Sequence, residues 1–230
     1  MVKVTLLKHT PDPERVVAAA ARQCYSRFSA TEIIEEMKEE DVKRLIRMVV
    51  ERGHHSVLEH AVFTFVIEDV SRACTHQLVR HRIASYSQQS HRYVKLREIE
   101  YVVPPSIRER GEAYKIFREA LDHCTEVYEK LLKMGIPAED ARYILPHATP
   151  TKIVVTMNAR ELLHVFELRT CLKAQWELRA VAEKMLELCK KIAPTIFEKA
   201  GPPCISRGIC PEKDYRCPKW LELKEKGLVS

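Results

Sequence analysis

With 230 residues and 26.7 kDa the chain can bury one good core, and no Pro-, Gly- or Ser-rich linker divides it, so residues 1–230 read as one domain. Its 38 basic and 32 acidic residues leave +6, gathered in one motif and the tail, which argues against an extended nucleic-acid surface. No apolar run reaches membrane-spanning length and MVKVTLLKHT lacks a signal-peptide pattern, so a cytoplasmic protein without membrane association is expected.

In chain order, residues 2–8 read as a short strand, and a helix runs from Pro11 and Pro13 to about Cys24. A second helix is predicted over 31–52, with apolar Ile34, Met37, Val42, Leu45, Ile46 and Val49 and a stop at Gly53. HHSVLEH makes a short turn or helix, and AVFTFVIEDV is β-branched and aromatic, the best strand in the chain. SRACTHQLVRH is helical, YVVPP is briefly extended, and one long amphipathic helix is predicted over 106–134, closed by Gly135. Pro137 opens a short helix carrying Ala141 and Arg142, which LPHATP breaks. TKIVVTM is a second clear strand ending at Asn158, and helices over 159–170 and 174–199 follow. The predicted class is α+β, mostly helical around a small sheet, with residues 201–230 as a Cys- and Pro-containing tail.

The chain holds one Asn, Asn158, and five Gln, a thermophile-like economy that asks for a functional reason for each retained amide. Of eight cysteines, five lie singly in helical patterns and read as core. Cys204, Cys210 and Cys217 are closer together but fit no common zinc spacing; a structural tail, with or without one disulfide, ranks above a metal site.

RHRIASYSQQSHRY, residues 80–93, carries the densest chemistry. Guanidinium forks match phosphate and carboxylate oxygens, and the hydroxyls and amides between them can reach sugar or heterocycle edges. Helix neighbours point about 100° apart, so Arg80, His81 and Arg82 cannot share a face; the helix carrying His76 and Gln77 must end here. Interleaved Ile83, Ala84, Tyr86 and Tyr93, with no Lys before Lys95, favour a structured small-molecule site over a nonspecific RNA surface.

Asn158 precedes NARELLHVFELR with Glu161 three residues on, a capping-box arrangement. Asn158 is either a cap alone or part of a helix N-terminus that, with Arg160, holds a phosphate or an electron-rich ring. His164 shares the stripe of Arg160, while Arg169 lies about 140° round the axis, so two different ligand portions are expected on this helix. GHHSVLEH spaces His55 and Glu59 by one turn beside His54, Ser56 and His60; without H-E-x-x-H a metal is the minority reading, and none is expected. The chain lacks G-x-G-x-x-G, the P-loop and G-x-S-x-G, so any dinucleotide is left to arginines and helix ends.

Arg80, His81, Arg82, seven residues and Ser90 resemble the R-H-R…Ser signature of flavin-dependent thymidylate synthases, and the likeness extends through HHSVLEH, QLVRHR, LPHATP, NARELLHVFELR and AQWELR over most of residues 50–180. The resemblance implies an α+β fold of the thymidylate synthase-complementing type and FAD contacts at Ser56, Arg80, His81, Arg82, Gln88, Asn158, Arg160 and His164. It implies a deoxyuridylate (dUMP) site at Gln77, Arg80, Gln88, Ser90, Arg92, Arg142 and Arg169, a folate side at His54 and Tyr93, and a homotetramer with shared active sites. Resembling proteins methylate dUMP with methylenetetrahydrofolate as carbon donor, FAD as hydride carrier and NADPH as reductant. Arg169 is expected to be the catalytic cation that stabilises negative charge on the pyrimidine, with no covalent cysteine adduct. Gln88 stands where Glu is common and Ser87 where Asn is frequent, so a charged acceptor is lost at the motif.

Overall fold

The structure, a computed structural model, describes residues 2–229. Four strands, β1 (Lys3–His9), β2 (Val62–Ser71), β3 (Ala84–Gln88) and β4 (Pro150–Asn158), form one sheet in the order β1-β2-β4-β3. β2 and β4 are antiparallel: Ala159 N donates to Ala61 O at 2.8 Å, the hydroxyls of Thr64 and Thr156 meet at 2.9 Å, and Arg72 N donates to Thr149 O at 3.0 Å. Along these strands Phe63, Phe65 and Ile67, and Ile153, Val155 and Met157, alternate into the core.

The helices are α1 (Pro13–Gln23), α2 (Ala30–Glu36), α3 (Glu39–Glu51), α4 (Arg72–Leu78), α5 (Pro105–Arg108) and α6 (Gly111–Lys133). They continue as α7 (Ala138–Ala141), α8 (Ala159–Arg169), α9 (Trp176–Ile192), α10 (Pro203–Ser206) and α11 (Pro218–Glu225), with 3₁₀ turns at His55–His60 and Arg142–Ile144. The fold is α+β, mostly helical around a small sheet. Chain contacts gather it into two compact units. Among the described residues, the first holds residues 2–3, Ile67–Arg80 and Tyr86–Val154; the second holds Val4–Val66, His81–Ser85 and residues 155–229.

Four elements depart from the sequence expectation. The helix expected over 31–52 is two: a Ser29–Glu32 capping box opens α2, and Arg15 Nη1 donates to the carbonyls of Ile34 and Met37, both at 2.7 Å, taking up its last acceptors. The helix expected over 106–134 breaks between α5 and α6, where Arg110 is extended and Gly111 restarts the turn. α9 stops at Ile192 rather than 199, because Ala193 precedes Pro194 and leaves the helical region. Glu14 holds the following turn by accepting from the Thr195 and Ile196 N–H groups and the Thr195 hydroxyl. The strand β3 was not expected at all. Its sequence ASYSQ alternates without strong apolar residues; it sits at the sheet edge, where Gln89 N donates to Lys152 O at 3.0 Å and the Tyr86 hydroxyl donates to Leu78 O at 2.9 Å.

Short helices order the tail, where Trp220 and Leu223 are buried and the Tyr215 and Trp220 rings meet edge-on at 5.2 Å. All eight cysteines are free thiols. Among the described residues no helix is long and apolar enough to cross a membrane.

Candidate active site

α4 ends at Leu78, in line with the expectation that Arg80, His81 and Arg82 cannot share one helix face, and the chain leaves the helix before Arg80. In the second unit this turn buries His81 completely enough to decide its chemistry, at 4% exposure. Arg169 Nε donates to His81 Nε2 at 3.0 Å, His81 Nδ1 faces Glu161 Oε1 at 3.4 Å, and the His164 ring meets the His81 ring edge-on at 5.9 Å. Burial first, then the Arg169 guanidinium and His164, pull the His81 pKa down to about 4, so the ring is neutral near pH 7. A neutral imidazole accepts at one nitrogen and donates at the other; with Nε2 taken by Arg169, the proton sits on Nδ1, toward Glu161. The contact is therefore one between a neutral ring and a buried carboxyl, whose own pKa burial pushes up against the pull of His164.

The 140° between His164 and Arg169 does not keep them from a common partner, because the His81 ring meets both. Glu161 lies between them on the helix surface, about 60° from His164 and 80° from Arg169. A carboxylate centred on the face between a His and an Arg was the sequence signal for its contact with His81, hidden by the capping-box reading. Half of that reading holds: Asn158 Oδ1 accepts from Glu161 N at 2.9 Å and caps α8, while the Glu161 carboxylate faces His81.

Arg160 is occupied by Glu59, Nη1 to Oε1 at 2.6 Å across an exposed surface. Glu59 is thus turned away from the His55 pairing that one-turn spacing suggested. The segment His55–His60 is 3₁₀, where i and i+4 no longer align, and His55 Nε2 instead contacts Val50 O at 3.1 Å. His54, Ser56 and Arg82 are exposed, and Ser56 does not cap the turn. Among the described residues no three His, Cys, Asp or Glu side chains are grouped to hold a metal.

The first unit carries a second cationic cluster. His91 is buried, its pKa pushed down by burial and then by the Arg72 and Arg142 guanidiniums, and its Nε2 is buried without a hydrogen-bond partner among the described residues. Arg72, itself pushed down by burial and by Arg142, shares the same repulsion. The rings of His76 and His147 meet edge-on at 5.3 Å. Phosphate oxygens accept from arginine and histidine N–H groups, and their negative charge would offset the mutual repulsion of Arg72, Arg142 and His91. Sequence reading had named Arg142, held His91 only as one residue of the 80–93 motif, and passed over Arg72. Neither has a spacing signature, since they meet only when α4 and the turn after β3 are folded.

Around this cluster, Gln88 Nε2 donates to the hydroxyls of Thr75 at 2.9 Å and Thr151 at 3.2 Å, so its carbonyl oxygen is what it can offer a ligand. Gln77 Nε2 reaches back to Ala73 O at 3.5 Å, and Ser90 Oγ accepts from Arg92 N at 3.2 Å. Arg92 is paired with Glu139 at 2.8 Å and lies over the ring of exposed Tyr93; Arg142 Nε donates to Glu139 O at 3.0 Å. Arg80 is exposed and belongs to the first unit, while His81 and Arg82 belong to the second.

Each unit thus groups arginine and histidine side chains on helix ends and turns, the chemistry by which proteins hold anionic nucleotides and cofactors. The family model described as thymidylate synthase complementing protein matches residues 5–195. The flavin-dependent thymidylate synthase of Geobacter sulfurreducens is 52% identical over 225 residues, 97% of each chain. That of Pyrococcus abyssi is 48% identical over 244 residues, covering 99% of this chain and all of the relative, and that of Clostridium tetani is 45% identical over 240 residues, 97% and 96%. The chain belongs to the flavin-dependent thymidylate synthase family.

Proposed function

We propose that this protein makes thymidylate from dUMP, taking the carbon from methylenetetrahydrofolate, with FAD as bound redox cofactor re-reduced by NADPH. The observation that carries the reading is the half-buried His81–Arg169 hydrogen bond, which ties the histidine of the R-H-R motif to the end of α8. The donor set of the second unit suits a flavin: the N-terminus of α8, Arg160, Arg82 and His164, beside the His81 ring, supply donors for phosphates and ring carbonyls. When bound, FAD supplies the hydride chemistry that no side chain can.

The chain's own work is binding, orientation and charge. Arg169 is held by its Nε, so its terminal nitrogens remain to stabilise charge on a pyrimidine oxygen, which makes the ring carbon more nucleophilic. Arg72, Arg142 and His91 take the nucleotide phosphate, with Gln77, Gln88, Ser90, Arg80 and Arg92 as further nucleotide contacts. Ser56, Arg80, Arg82, Gln88, Asn158, Arg160 and His164 contact the flavin, and His54 and Tyr93 face the folate. No cysteine adduct is required; Cys74 is buried in α4.

The active form is a homotetramer with shared sites, a reading supported by exposed Ile83, Tyr93 and Tyr143, large apolar side chains in and near the motif. Purified protein that is yellow and releases FAD on denaturation supports the reading. Colourless protein that binds nucleotide but takes up no added FAD overturns it in favour of a noncatalytic binding protein.

A further inference from the structure

We propose that Glu161 is a positioning residue, which fixes the tautomer of His81 and through it the pose of the Arg169 guanidinium. The inference rests on the reading of Arg169 as the group that activates the pyrimidine. Glu161 is buried, projects from the middle of the α8 face between His164 and Arg169, and puts Oε1 3.4 Å from His81 Nδ1. On the other side of the ring, Nε2 accepts from Arg169 Nε at 3.0 Å.

The two contacts depend on each other. An imidazole whose Nε2 carried the proton would present a donor to the Arg169 donor and a lone pair to the Glu161 carboxylate, repelling both. With the carboxylate in place the proton stays on Nδ1, and Nε2 remains the acceptor that holds Arg169 side-on. The arrangement is an orienting relay in which no proton moves. Glu161 reaches neither ligand nor reacting atom and acts only through His81.

The side chain is not needed for the helix cap, which uses the Glu161 backbone N–H. Substitution therefore separates cap from relay. Glu161→Gln keeps an acceptor oxygen for Nδ1–H; Glu161→Leu keeps bulk and removes it. Side-chain nitrogen NMR of the full-length flavoprotein at neutral pH reads the His81 tautomer directly. The expected wild-type state is Nδ1–H with unprotonated Nε2. Glu161→Leu is expected to shift His81 to a mixed or Nε2–H state and lower kcat at least about tenfold, in the range typical for losing an orienting partner. Bound FAD and the dUMP KM should change less than about twofold, as for a loss confined to transition-state stabilisation. Glu161→Gln should restore both the tautomer and most of the rate.

An Nε2-protonated His81 in the wild type, or a Leu variant with unchanged tautomer and rate, overturns the proposal. So does a Gln variant as impaired as the Leu variant. If the Leu variant does not fold, the wild-type spectrum and the Gln variant decide alone. Normal turnover by Arg169→Ala would instead defeat the role given to Arg169 while leaving the tautomer measurement to judge Glu161.

Discussion

Arg169 and His81 lie 88 positions apart in sequence and meet through a 3.0 Å hydrogen bond from Nε to Nε2, with the imidazole as acceptor. A cation bound to a histidine is stable only while that histidine is neutral, and burial keeps it so. The pair therefore links the site's electrostatics to pH and to the packing of α8.

Arg169→Ala should retain FAD and lose thymidylate formation by about 10²–10³ in kcat, the usual scale for removing one charge-stabilising donor. Arg169→Lys should recover little of it, because an ammonium cannot bond His81 side-on and still present a fork to the pyrimidine. Flavin absorbance together with single-turnover kinetics checks both; near-normal turnover in the Ala variant would remove the assigned role.

Stability should fall on acidification in a window set by His81. Above pH 6.5 the ring is neutral in the folded and unfolded chains alike, and it contributes no pH dependence. Below 6.5 the unfolded chain takes up a proton that the folded chain, at about 4, refuses, so stability drops until about pH 4, by on the order of 3 kcal/mol. His76 and His91, also pushed down chiefly by burial, act in the same direction. Urea midpoints between pH 7 and pH 4 should show this slope, and His81→Asn should flatten part of it.

Gln88→Glu should destabilise the first unit. The Thr75 hydroxyl already donates to Arg72 O at 3.1 Å and accepts from the Gln88 amide at 2.9 Å, so a carboxylate would place acceptor against acceptor. The expected cost is about 1–3 kcal/mol, partly relieved if the Thr75 hydroxyl turns from Arg72 O to the carboxylate. Thermal unfolding with and without dUMP measures it.

Asn158→Ala should cost about 1 kcal/mol by removing the bond to Glu161 N, and lower Tm by about 2–4 °C. Asn158→Asp should keep the cap. If the same turn holds a flavin phosphate, the Asp variant will bind FAD more weakly than wild type despite normal stability, which equilibrium dialysis resolves.

Cys171→Ala should leave methylation largely intact. A folded Cys171→Ala flavoprotein without activity would instead demand a covalent cysteine mechanism.

Much of this molecule was legible in its sequence where one residue type serves one purpose. The β-branched and aromatic run AVFTFVIEDV marked β2, and Arg80-His81-Arg82 marked the end of α4 by mutual incompatibility on one face. What escaped was set by partners distant in sequence. Arg15 ends α2 from 19 and 22 residues away, and Glu14 holds the turn beyond α9 from 181. The scarce amides proved partly structural: Asn158 and Gln175 cap helices, and Gln88 clamps two threonines. Glu161 was visible as a cap residue and hidden as a partner of His81, because periodicity shows which face a side chain occupies but not what the rest of the chain brings to it.

The most direct measurement is tritium release from dUMP labelled at the pyrimidine carbon that receives the methyl group, with FAD, NADPH and methylenetetrahydrofolate present. The account predicts release that requires all three and collapses in Arg169→Ala. Protein that is folded and flavin-loaded yet releases no tritium, or releases it equally without FAD, would contradict it.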